Sequence, residues 1–152
     1  MENDKLLELV KSYQPEAEIV SGKQFLTVTV DKKNLHQFAK QLKESDETRF
    51  DYLFCKSAVD YNDHFVVVCH LDSTKYRHQL VLKTKITDRE NPEIDSLCDI
   101  WNAAEFHERE IFDLFGIKFT NNPDLRKIFL DNDWAGFPLR KDYVDPVNIV
   151  ER

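Results

Sequence analysis

The chain has 152 residues, with 21 Lys and Arg against 28 Asp and Glu, a net charge of −7. That length fits one domain of roughly 100–200 residues, and 41% hydrophobic residues supply a core rather than a disordered chain. The acidic balance argues against nucleic acid and anionic lipid, which select basic faces, and no apolar run approaches the roughly 18 residues of a membrane span.

Residues 4–12 read as a short amphipathic helix carrying Leu6, Leu7, Leu9 and Val10, closed by Pro15. No signal-peptide core precedes it. Residues 24–30 have strand composition, and Asp31 is placed to cap the next helix, whose apolar face is Leu35, Phe38, Ala39 and Leu42. Strands follow at 50–60, 64–72 and 78–86, the first two joined by a hairpin turn at Asn62-Asp63. The order α-β-α-β-β-β predicts an α+β two-layer domain, with a mixed or antiparallel sheet and helices on one face.

Over residues 92–115 the spacing predicts one helix. Pro92 suits a first turn, Leu97, Trp101, Ala104, Ile111 and Phe115 form a single stripe, and Gly116 fits the position after the last turn. Glu108 fills the gap in that stripe. On the stripe it is buried and must be paired, with Arg126, Arg140 or a cation of another chain; at the stripe's edge it reaches water instead. Arg109 is spaced to pair along the helix with Glu105 or Asp113.

From Gly116 onward the periodicity stops. The last 37 residues hold three of the five prolines, yet 15 of them are apolar, and six basic and six acidic residues leave the stretch neutral. A solvated tail lacks such apolar content, and long structureless loops are uncommon in compact domains. Two arrangements satisfy this composition: an extended C-terminal arm over residues 116–152 lying on another protein, or a segment folded back on its own sheet. The first divides the chain at 115/116.

Catalytic and cofactor signatures are weak. Gly22, Gly116 and Gly136 are too scattered for a phosphate-binding loop. Cys55, Cys69 and Cys98 form no C-x-x-C pair, so a disulfide framework or a cluster held by this chain alone is disfavoured. His107-Glu108-Arg109-Glu110-Ile111 begins like the zinc motif H-E-x-x-H, but Ile111 replaces the second ligand. The acids Glu105, Glu108, Glu110 and Asp113 have no nucleophile or paired donor beside them in sequence.

Three ordered motifs remain: Glu108-Arg109-Glu110-x-x-Asp113-x-x-Gly116-Ile117; Asn122-Pro123-Asp124-Leu125-Arg126-Lys127-Ile128; and Trp134-x-Gly136-x-Pro138-Leu139-Arg140-Lys141-Asp142-Tyr143. Together they resemble the 30 kDa subunit family of respiratory complex I, which in bacteria is the C subunit of NADH–quinone oxidoreductase. Asn122 departs from the His that many members carry before Pro-Asp. The resemblance implies a non-catalytic scaffold in the peripheral arm, on the cytoplasmic side of the membrane, supporting electron transfer to quinone coupled to proton translocation. FMN, iron–sulfur clusters and quinone are then expected on partner subunits, with no cofactor on this chain. The partner implied is the 49 kDa (D) subunit, with Glu108, Arg109, Glu110, Asp113, Asp124, Arg126, Trp134, Pro138, Leu139, Arg140, Lys141, Asp142 and Tyr143 at the interface. Alternatives are the equivalent member of a complex fed by ferredoxin, F420H2 or hydrogen, and a free interaction adaptor.

Overall fold

A computed structural model describes residues 3–145 and 147. The element order is α1 (Asn3–Tyr13), β1 (Glu18–Ser21), β2 (Leu26–Val30), α2 (Leu35–Glu44), β3 (Tyr52–Asp60), β4 (Phe65–Ser73), β5 (His78–Ile86), β6 (Glu93–Asp95), α3 (Ala104–Phe115) and β7 (Lys118–Thr120). The strands form a five-stranded sheet in the order β1-β2-β5-β4-β3 and a two-stranded parallel pair of β6 and β7. Within the large sheet only β2 and β5 are parallel; α2, β3 and β4 make the crossover between them. The α+β class read from the sequence is what the chain adopts.

One sheet face and all three helices share a single core. Leu26, Val28, Phe65, Val67, Leu71, Leu80 and Leu82 meet Leu6 and Val10 of α1, Leu35, Phe38 and Leu42 of α2, and Ala104 and Ile111 of α3. The alternation along β4 and β5 follows the two-residue strand period. On β3 that alternation breaks. A register shift between Leu53 and Cys55 inverts the strand, so that Lys56, Ala58 and Asp60 pair across from the core residues Cys69, Val67 and Phe65. Two charges thereby turn inward while Val59 turns out.

Several sequence expectations need correction. The helix anticipated over 92–115 begins only at Ala104. Residues 93–95 pair instead with 118–120, and a turn with Ile100 and Trp101 N–H on the Leu97 carbonyl precedes the helix. The stripe still reports burial, because Leu97 and Trp101 lie in the core. Asp31 does not cap α2: its carboxylate accepts the Lys33 N–H, and the helix starts after Asn34 with no side-chain cap. β1 has no counterpart among the expected strands, since Glu-Ile-Val-Ser is short and largely exposed. The 115/116 division also fails to mark the end of the domain, for Ile117 and Phe119 are core residues. Gly116 does take the left-handed conformation (φ 71°) expected after a helix, and Phe137 packs so closely on it that a Cβ there would strike the ring.

Candidate functional site

Glu108 of α3 is fully buried, and four donors converge on it. Lys56 Nζ (2.5 Å) and the Leu97 N–H (2.8 Å) bond Oε1; Ser96 Oγ (2.6 Å) and Asn122 Nδ2 (2.8 Å) bond Oε2. The predicted burial and pairing of Glu108 are observed, but the cation is Lys56, not Arg126 or Arg140. The inverted register of β3 delivers it, with the ammonium also 4.5 Å from the Phe119 ring centroid. Such a pair is stable only where further groups help to satisfy it, and three additional donors complete the carboxylate. Asn122 carries the network into the C-terminal segment, where its own Oδ1 accepts the Asp124 N–H. Burial pushes the neighbouring Cys69 thiol up to about 11, against the opposing charge of Lys56, so it stays protonated and unreactive near neutrality.

A second set of bonds fixes residues 126–130. Arg109 is buried and donates through Nε to the Arg126 carbonyl (3.3 Å) and through Nη2 to the Lys127 carbonyl (3.2 Å), rather than pairing along its helix. One turn on, Asp113 Oδ2 accepts three successive N–H groups, from Ile128 (3.2 Å), Phe129 (2.7 Å) and Leu130 (3.0 Å). Burial raises the Asp113 pKa, but these three donors and the nearby Lys127 outweigh it and hold the carboxyl below its ordinary value.

A third set fixes residues 139–142. Arg89 grips Asp60 with two guanidinium nitrogens (2.6 and 3.1 Å), and Asp60 also accepts the Lys141 N–H (2.9 Å). The Arg89 bond is the main reason the Asp60 pKa lies far below the usual carboxylate range. Arg140 donates to the Phe115 carbonyl (2.6 Å), and the Leu139 N–H bonds the Leu114 carbonyl (3.1 Å). The segment is therefore not a free arm as far as residue 145. Its backbone is bonded to its own domain, while Phe129 (66% exposed), Leu139 (53%), Trp134 (43%) and Val144 (69%) face outward.

Of the residues singled out from sequence, Glu108, Arg109 and Asp113 are buried and bonded within the chain, so they shape the surface without forming it. Glu110, Trp134, Leu139, Lys141 and Asp142 are exposed; Asp124, Pro138, Arg140 and Tyr143 are half-buried. Arg126, also exposed, pairs with Asp124 at 2.9 Å. Sequence reasoning missed Lys56, Asp60, Arg89 and Ser96. Lys56 and Asp60 resemble ordinary outward-facing strand charges, and nothing in the residues around Phe54 announces the register shift.

Among the described residues, no cluster of three or more His, Cys, Asp or Glu is arranged to hold a metal ion, and no helix is long and apolar enough to cross a membrane. An open groove of about 440 Å³ runs along the segment, lined by Ala135, Phe137, Arg140, Asp142 and Val144. It offers apolar walls and one charge of each sign, the makings of a binding surface.

The fold has a close counterpart among solved structures. It superimposes with a TM-score of 0.81, at 26% identity, on a chain of an archaeal respiratory membrane complex, the membrane-bound sulfane sulfur reductase, covering 95% of this chain and 86% of that one. The C subunit of NADH-quinone oxidoreductase from Roseiflexus castenholzii is 37% identical over 148 residues, which is 93% of this chain and 84% of that protein. A Phocaeicola vulgatus protein whose name joins the C and D subunits of NADH-quinone oxidoreductase is 40% identical over 122 residues, 80% of this chain but only 23% of that longer protein. Residues 28–147 match the family described as respiratory-chain NADH dehydrogenase, 30 Kd subunit. The tethers built on Glu108, Asp113 and Asp60 all fall within that match, and the chain belongs to the 30 kDa subunit family of the respiratory-chain NADH dehydrogenase.

Proposed function

We propose that the chain is a scaffold in the peripheral arm of an NADH:quinone oxidoreductase and performs no catalytic step itself. FMN, the iron–sulfur clusters and quinone sit on partner subunits, and this chain holds those partners in register while electrons pass to quinone and protons are translocated. Its principal partner is the 49 kDa (D) subunit, engaged on the cytoplasmic side, and it reaches the membrane only through the complex. The P. vulgatus relative, whose name joins C and D, supports that choice of partner.

The observation that carries the reading is the division of labour in residues 121–145. Carboxylates and guanidinium groups of the domain hold their backbone, Leu125 and Phe137 pack inward, and Phe129, Trp134, Leu139 and Val144 point away from the domain. A surface fixed in this way loses little conformational entropy on association, and buried aromatics with Arg are the usual anchors of interfaces. Trp134→Ala and Arg140→Ala are expected to lower both co-purification of the D subunit and quinone reductase activity of membranes. Full assembly and activity in both variants would count against the scaffold reading.

The likeness to the archaeal sulfane sulfur reductase supports a second reading, in which the same scaffold serves a complex with another electron donor, such as ferredoxin, F420H2 or hydrogen. The proteins recovered with the chain discriminate: an NADH-binding flavoprotein among them supports the first, its absence from an active complex the second.

A further inference from the structure

Phe106 is 59% exposed on α3, although it stands outside the C-terminal segment. Three residues further along the helix, the Arg109 guanidinium lies 5.7 Å from its ring centroid and bonds the Arg126 and Lys127 carbonyls. The chain then continues into Ile128 (37% exposed) and Phe129 (66%), whose N–H groups are bound by Asp113. Asp113 lies seven positions along α3 from Phe106, a rise of about 10 Å, and Arg109 and Asp113 hold residues 126–130 along that stretch of the helix.

The backbone groups beneath this patch are already bonded, although Asp113 Oδ1 is buried without a partner. Arg109 binds the carbonyls of 126 and 127, and Asp113 binds the N–H groups of 128, 129 and 130. Covering the patch therefore strands none of those backbone groups, which removes the main cost of drying a surface. The cations beside the patch are engaged within the chain, Arg126 by Asp124 and the Lys127 ammonium by the Asp131 and Trp134 carbonyls, whereas Glu110 is exposed and Glu105 half-buried.

Resting on the scaffold reading, we propose that Phe106, Ile128 and Phe129 form a preassembled docking patch for the D-type subunit, which meets it with an aliphatic cleft rimmed by Lys or Arg. The patch brings in Phe106 and Phe129, which lie outside the sequence motifs, beside the α3 and segment residues that those motifs assign to the interface. Complementary rims of this kind accelerate encounter and make it sensitive to salt.

The test is co-expression of the full chain with the D subunit of the same organism, followed by affinity recovery in mild detergent. Phe129→Arg and Phe106→Arg are expected to cut the D subunit recovered at least tenfold, while Val20→Arg, an equally exposed apolar site on β1, leaves it unchanged. Glu110→Lys is expected to slow association and flatten its salt dependence. Thermal melting of each purified variant separates loss of docking from loss of fold, and Phe129→Ser serves if an arginine variant does not fold. If the unmodified chain recovers no D subunit, the scaffold reading itself fails. If it does and the Phe106 and Phe129 variants recover as much, the patch is overturned and the scaffold reading stands.

Discussion

Glu108 illustrates how much can depend on one residue fully buried within its own chain. Of its four donors only Lys56 carries charge, and both side chains are fully buried. The desolvation of each ion is offset by the other, so neither is tolerable alone. Lys56→Met leaves a buried carboxylate without its cation and is expected to cost about 3–5 kcal/mol in urea denaturation. Glu108→Gln, which strands the ammonium, is expected to cost a similar amount. The double variant should lose less than the sum, by roughly 0.5–3 kcal/mol, because it removes both charges together. Strictly additive losses would show that the two do not act as a pair. Asn122 belongs to the same network. An amide donates to Glu108 at any pH, whereas an imidazole in its place would couple the network to protonation.

At the scale of elements, the path of residues 121–145 depends on carboxylates from two different parts of the domain, Asp113 on α3 and Asp60 at the end of β3. Asp113→Asn replaces an acceptor of three N–H groups with an amide that also carries donors, so hydrogen exchange of amides 128–130 should accelerate at least tenfold while β4 and β5 stay protected. Acid should act in the same way. Both carboxyls are held below their ordinary values, Asp60 mainly by Arg89 and Asp113 by its three donors against burial. Their contribution is therefore complete above about pH 4 and is lost as pH falls through the lower folded-state values. The segment's amides should lose protection before the sheet does, and simultaneous loss would mean that the segment and sheet unfold as one unit. This dependence also explains what the sequence makes legible. Helices α1 and α2 and strands β2–β5 can be read because their apolar spacing matches a helical or strand period. Glu108 can be read as buried because it interrupts a stripe. Its partner cannot, since that pairing turns on a single register shift in β3, and residues 93–95 pass for helix because their strand exists only through pairing with 118–120, over twenty residues later. The apolar content of the segment is plain in the sequence; of the two arrangements it allows, the fold-back is the one seen as far as residue 145, with Leu125 and Phe137 turned toward the domain and Phe129, Trp134, Leu139 and Val144 exposed.

For the molecule as a whole, the two tryptophans report these two fates separately. Trp101 is 4% exposed and its indole N–H bonds the Phe50 carbonyl at 3.0 Å, inside the domain core. Trp134 is 43% exposed on the segment, where Lys127 reaches its carbonyl. Residues 1–115 carry the whole net charge of −7 and residues 116–152 carry none, so long-range repulsion between like molecules comes from the first part of the chain. If assembly covers the segment on a preformed domain, Trp134 should change its environment and Trp101 should not. With 5-fluorotryptophan incorporated into this chain alone, the free protein should show two fluorine resonances, of which only that of Trp134 has a large solvent isotope shift. Titration with the D-type subunit should move the Trp134 resonance and abolish its isotope shift, leaving Trp101 in place; Trp134→Phe assigns the signals. Movement of both resonances would mean that the domain core rearranges on assembly, and an unmoved Trp134 resonance in a complex that forms would place the contact elsewhere on the chain.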